Sequence, residues 1–198
     1  MAVSIEDIKK LKELTGVGLT DAKTALVEAD GDFDKALEAM RKKGLTRAEK
    51  KGDREAREGL IDSYVHSGRI GVVVEVNCET DFVARLDDFK KLAHEIAMQI
   101  AAMSPQYVSE ADIPAEEMER VRTEAKERII AEGKPAELAD KIVEGQVKKH
   151  FGERVLMSQP FILDDKKSVE DYVKENIAKL GENVVIRQFK RIELGVSE

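Results

Sequence analysis

Cysteine is nearly missing from this chain: Cys78 is the only one in 198 residues. A lone thiol excludes an intramolecular disulfide framework and any cysteine-rich zinc site. Histidine is almost as scarce, and His66, His94 and His150 are scattered without metal-ligand spacing. No run approaches the ~18 consecutive apolar residues of a membrane-spanning helix, so no membrane association is expected. The opening Met1-Ala2-Val3-Ser4-Ile5-Glu6-Asp7 has neither a basic region nor an apolar stretch, and the expected location is cytoplasmic. Positive charge is not in surplus: 33 basic residues face 40 acidic ones, a net charge of -7. Neutralising phosphates takes clustered excess Lys and Arg, so no direct specific nucleic-acid binding is expected. Phosphate-cradling loops are lacking as well. Gly16-Val17-Gly18 follows no strand and lacks the third glycine of a dinucleotide fingerprint, and no glycine-rich loop ends in Lys-Ser or Lys-Thr. No catalytic residue, resident metal or cofactor is expected, and no repeat of 20–50 residues is visible.

What is present is 42% hydrophobic and 37% charged, the balance of a soluble globular protein with a heavily charged surface. A chain of this length buries a core without metal or disulfide staples. The first ~43 residues read as three short helices. Ser4 caps the first, with Asp7 three positions on, and Ile5, Ile8, Leu11 and Leu14 follow at helical spacing up to Gly16-Val17-Gly18. Thr20 opens the second, with Ala22, Ala25, Leu26 and Ala29 inward, and Asp30-Gly31 breaks it. Asp32 caps the third, with Phe33, Ala36, Leu37 and Met40 inward, and Gly44 is expected to end it. Helices this short are marginal alone, so a three-helix bundle is the expectation.

Residues 41–58 hold eight Arg or Lys against four Asp or Glu and almost no large apolar side chain. This stretch reads as a solvated connector or charged helix, with RNA contact the sharper alternative. From Leu60 the period changes to two. Leu60–His66 and Arg69–Cys78 read as strands joined at Ser67-Gly68, and Ile70, Val72, Val74, Val76 and Cys78 alternate onto one face. Cys78 then reads as a small buried hydrophobe rather than a reactive thiol, and nothing in the spacing sets a histidine beside it as a base. Helical spacing returns at 87–103 (Phe89, Leu92, Ala93, Ile96, Ala97, Ile100), with Asp87 or Asp88 as cap. It recurs at ~114–132 (Met118, Val121, Ala125) and ~135–150 (Leu138, Ile142, Val143, Val147), divided by Gly133, and at ~168–180 (Val169, Tyr172, Val173, Ile177) behind a Ser168 cap. Asn183–Leu194, with Val184, Ile186, Ile192 and Leu194, reads as a third strand. The expected fold class is α+β: an N-terminal three-helix bundle, then a small antiparallel sheet packed with helices.

One segment breaks the local rules. Cys78-Glu79-Thr80-Asp81-Phe82-Val83-Ala84-Arg85 sets an aromatic in a short polar connection between the clearest strand and the clearest helix. Phe82 either folds back onto the core or points out as a plug for a partner's pocket, flanked by a carboxylate. Glu79, Asp81, Asp87 and Asp88 carry the donors a hard cation takes, although helix capping explains the last two more simply.

Three separated motifs resemble the elongation factor Ts family. The first is Ile8-Lys9-Lys10-Leu11-Lys12-Glu13-Leu14-Thr15-Gly16-Val17-Gly18-Leu19-Thr20-Asp21-Ala22-Lys23, continuing through Asp30-Gly31-Asp32 to Met40-Arg41-Lys42-Lys43-Gly44. The second, Val76-Asn77-Cys78-Glu79-Thr80-Asp81-Phe82-Val83-Ala84-Arg85, holds the family's Thr-Asp-Phe-Val motif. The third is Gln159-Pro160-Phe161 with Gly181-Glu182-Asn183-Val184-Val185-Ile186-Arg187 and Glu193-Leu194-Gly195. The resemblance implies a guanine-nucleotide exchange factor for the GTPase elongation factor Tu, with no covalent catalysis. It implies a ubiquitin-associated-like (UBA-like) bundle at 1–44 that docks on the GTPase, a charged linker at 45–58 and an α+β exchange and dimerisation core at 59–198. It also implies that Asp81 and Phe82 enter the partner near its Mg²⁺, Phe82 wedging between helices and Asp81 disturbing the metal's water shell, while Thr80 and Val83 shape the turn. Short family members pair as homodimers through their sheets, so a homodimer is possible here. Two other readings stay open: a UBA-like binding adaptor without exchange activity, and a small metal- or thiol-dependent enzyme.

Overall fold

A computed structural model describes residues 3–131 and 136–196. They divide into two compact units, Met1–Met98 with Glu170–Glu198, and Gln99–Val169.

The first unit opens with three helices, α1 (Ile5–Thr15), α2 (Leu19–Glu28) and α3 (Phe33–Glu49). The caps follow from the residue types. Ser4 accepts a hydrogen bond from the Glu6 N–H at 3.1 Å, and Asp32 accepts one from the Lys35 N–H at 3.1 Å. Leu11, Ala22, Ala25, Leu26, Ala36 and Met40 form the bundle's core, with Ile8, Val17, Phe33 and Leu37 packed around it. Gly16 closes α1 in the left-handed conformation at φ 66°, which costs any other residue about 1–2 kcal/mol. Gly44 does not end α3, which continues to Glu49. Its role is steric. A Cβ on Gly44 would lie 3.3 Å from the Ala178 Cβ, so the missing side chain lets α3 approach the helix at 169–180.

The sheet follows as β1 (Glu58–His66), β2 (Ile70–Cys78) and, after three intervening helices and the second unit, β5 (Val184–Glu193), in the antiparallel order β1-β2-β5. Ser67 (φ 51°) and Gly68 (φ 67°) make the tight turn between the first two strands, the conformation that matches strand twist. Val72, Val74, Val76 and Cys78 are buried on the inner face together with Val184 and Ile186. Two helices complete that core. From α5 (Asp87–Met103) come Phe89, Leu92, Ala93, Ile96 and Ala97; from α8 (Val169–Leu180) come Val173 and Ile177. Each Val, Leu, Ile or Phe among them contributes roughly 1.5–3 kcal/mol on full burial. Between β2 and β5 the register shifts after Glu75, leaving Arg187 as the extra residue of a bulge. The outer face keeps Ile61, Val65, Val73 and Ile192 exposed.

In the second unit, α6 (Ala115–Ala131) and α7 (Ala136–Gly152) pack through Val121, Ala125, Ile129, Val143, Val147 and Phe151. Gly133, expected to divide them, and the Leu138 side chain lie outside the described residues. Two short strands, β3 (Pro160–Phe161) and β4 (Asp164–Ser168), pair antiparallel. Periodicity gave no sign of them, since two to five residues are too few to show a period. Gln99 and Gln159 are fully buried here and satisfy one another. The Gln99 amide donates to Gln159 Oε1 and to the Pro160 carbonyl, both at 3.1 Å, while its oxygen accepts from the Ile162 N–H at 2.8 Å.

Candidate functional site

The segment after β2 is not a plain connection. Asp81–Ala84 is a four-residue helix, α4, and Thr80 caps it, its hydroxyl accepting from the Val83 N–H at 3.5 Å. One helical step separates adjacent side chains by about 100°, which sends two apolar neighbours opposite ways. Val83 is 8% exposed and anchors the turn, whereas Phe82 is 76% exposed. Leu86, four positions on, is also exposed. Asp81 accepts from Arg85 at 2.7 Å across the same turn. The outward side of α4 therefore presents an aromatic ring and a carboxylate side by side. Of the two orientations left open for Phe82, the structure adopts the outward one.

The turn hangs from both ends. Behind it, the Cys78 thiol donates to the Thr80 carbonyl at 3.2 Å. Burial pushes that thiol up to about 11, and the Glu182 carboxylate pushes in the same direction. A thiol so placed stays protonated and is a poor nucleophile. Across the sheet end, the turn between α8 and β5 supplies a carboxylate clamp. Glu182 Oε2 accepts from the Glu79 N–H at 3.1 Å and the Thr80 N–H at 3.0 Å, and Glu182 Oε1 accepts from the Thr80 hydroxyl at 2.6 Å. Glu79 returns the contact, accepting from the Asn183 N–H at 2.6 Å. Spacing gave no hint of this pairing, because the partners stand more than a hundred positions apart in the chain.

The acidic residues considered for a cation are each engaged elsewhere. Glu79 also meets Arg54 at 3.5 Å, Asp81 meets Arg85, Asp87 meets Lys90 at 3.7 Å, and Asp88 meets Lys179 at 2.7 Å. Asp87 and Asp88 lie in the first turn of α5. The histidines are likewise engaged: His94 with Asp62 at 2.9 Å, His66 with the Tyr64 hydroxyl at 3.0 Å, and His150 against the Phe151 ring. No group of three metal-ligating side chains occurs among the described residues.

The outward side of the clamped turn is thus an exposed ring beside a carboxylate. The family model for elongation factor TS matches residues 5–196. The chain belongs to the elongation factor Ts family. It is 52% identical over 194 residues to elongation factor Ts of Thermoanaerobacter sp. (strain X514), covering 98% of this chain and 95% of that one. It is 51% identical over 194 residues to that of Syntrophomonas wolfei, covering 98% and 91%. Against that of Coprothermobacter proteolyticus it is 50% identical over 196 residues, covering 98% of this chain and all of the other. The family's members are elongation factors of protein synthesis. No helix among the described residues is long and apolar enough to cross a membrane.

Proposed function

We propose that this chain is a guanine-nucleotide exchange factor for elongation factor Tu, acting in the cytoplasm by binding and without a covalent step. The observation that carries this reading is Phe82, three-quarters exposed on a helix whose next residue, Val83, is buried. An exposed aromatic beside a carboxylate has the chemistry of a residue that anchors a protein–protein contact. Phe82 wedges into the GTPase, and Asp81 approaches the groups that hold the Mg²⁺ water shell. Thr80 and Val83 hold the turn. Mg²⁺ demands near-ideal octahedral geometry, so a small displacement of its ligands weakens its grip on the nucleotide phosphates. The factor binds the nucleotide-free GTPase better than the GDP-bound one, and by linkage GDP weakens the factor by the same factor that the factor weakens GDP. A coupling of ~4 kcal/mol changes nucleotide affinity roughly a thousandfold.

The bundle at 1–44 docks on the GTPase, the linker at 45–58 carries it, and the core at 59–198 exchanges nucleotide and dimerises. Ile61, Val65, Val73 and Ile192 on the sheet's outer face are the apolar surface a second copy of the chain covers. The test is release of fluorescent GDP from elongation factor Tu. Acceleration by micromolar amounts of this protein is the expected result. Binding with no acceleration leaves the adaptor reading instead.

A further inference from the structure

A four-residue helix does not hold its own direction. Nucleation is unfavourable, and one N-cap hydroxyl at 3.5 Å adds on the order of 1 kcal/mol. Something outside α4 must therefore aim Asp81 and Phe82. The pairing of β2 with β5 ends at Cys78 and Val184, so the Glu79 and Thr80 N–H groups are left without strand partners. Both are taken by one carboxylate, that of Glu182, which also takes the Thr80 hydroxyl proton. Hydrogen bonds to an ionised acceptor are roughly twice as strong as neutral ones. Three of them on consecutive donors fix the Thr80 backbone and its side-chain rotamer together. The Thr80 oxygen is then held toward the Val83 N–H, and that contact sets where α4 starts.

The clamp is itself anchored. Asn183, the next residue, is buried and donates from its side chain to the Gly52 carbonyl at 3.2 Å and the Arg54 carbonyl at 2.7 Å. The Lys51 ammonium donates to the Gly181 carbonyl. The turn at 181–183 is thus braced on one side by residues 51–54 and holds the Thr80 turn on the other.

We propose that Glu182 is the positioning residue of the Thr80–Val83 motif: it sets the direction of Phe82 without itself meeting the GTPase. This rests on the exchange reading above. The test is GDP release from elongation factor Tu by the full chain carrying F82A, E182A, E182Q, E182D, and F82A with E182A. Misplacing a contact group by about 1 Å costs up to a hundredfold in rate, so E182A is expected to slow exchange about tenfold or more. Gln has the same reach and keeps an acceptor for the two N–H groups but cannot take the Thr80 hydroxyl proton, so E182Q is expected to fall between wild type and E182A. Asp is one methylene short, and E182D is expected to fall with E182A. E182D takes the place of E182A if E182A does not fold. Because Glu182 acts through Phe82, adding E182A to F82A is expected to slow exchange by no more than about twofold. Independent, multiplying losses overturn the proposal, as does E182A or E182D at the wild-type rate beside a slow F82A. F82A at the wild-type rate overturns the exchange reading of the motif, and this proposal falls with it.

Discussion

Two phenylalanines lie in short segments between the longer helices and strands of this chain, and the same device treats them in opposite ways. Phe82 is 76% exposed and Phe161 is 3% exposed. In each case a side chain distant in sequence accepts backbone N–H groups beside the ring: Glu182 for the turn at Phe82, Gln99 for the Ile162 N–H after Phe161. The difference lies in the acceptor. Glu182 is only partly buried, where solvent still stabilises a carboxylate. Gln99 is fully buried, where an unpaired charge would cost several kcal/mol and a neutral amide that both donates and accepts does not. A charged clamp at the surface goes with an aromatic turned outward. A neutral clamp in the interior folds one into the core.

The comparison breaks most visibly at the buried ring. Phe161→Ala is expected to cost about 3–5 kcal/mol in urea denaturation, the usual penalty for emptying a buried aromatic site. Gln99→Leu comes next. It leaves the Ile162 N–H, the Pro160 carbonyl and the Gln159 side-chain oxygen without their partner, and about 2–3 kcal/mol is the expected loss in the same measurement. Phe82→Ala and Asp81→Ala should behave the other way round. Their unfolding free energies should stay within about 0.5 kcal/mol of wild type, as for ordinary surface changes. GDP release should nevertheless slow about tenfold or more, equivalent to about 1.4 kcal/mol in the exchange barrier.

The smallest effect concerns the thiol behind the outward turn. Folding raises the Cys78 pKa from 9.0 to about 11, so the thiol favours the folded state while it remains protonated in both states. That contribution is whole below pH 9 and is lost as pH climbs from 9 toward 11. The urea midpoint of wild type should therefore fall more steeply over this window than that of Cys78→Ala. Because the Glu182 charge is one cause of the shift, Glu182→Gln should also bring forward the pH at which the native thiol becomes alkylated.

Much of this frame can be read from residue order. Val72, Val74, Val76 and Cys78 alternate, and Phe89, Leu92, Ala93 and Ile96 recur at helical spacing, because one buried face imposes a period on each element. The Thr80–Val83 motif was visible as an aromatic in the wrong company. Its outward direction was not, since four residues have no period and the clamp arrives from residue 182. Gly44 shows the same limit. A glycine near a charged run reads as a helix end, yet here it serves the close passage of α3 by Ala178, and local order does not reveal a neighbour 134 positions away. The role of Gln99 has no signature in residue order, and only the fold shows its amide group occupied by Gln159 and the Ile162 N–H.

The unbroken run of α3 through Gly44 to Glu49 also bears on how the proposed partner would be held. Two contact surfaces joined by a loose string meet a partner one after the other, and the second encounter depends on the string's effective concentration, in the millimolar range for short flexible tethers. Here α3 is a stiff stem that leans on α8 at Ala178, and residues 51–54 beyond it are fastened to the turn at 181–183. The bundle and the Phe82 turn are thus presented at a preset spacing. A partner that fits both surfaces gains the second with little further loss of chain freedom, and one that fits only one gains nothing from the other.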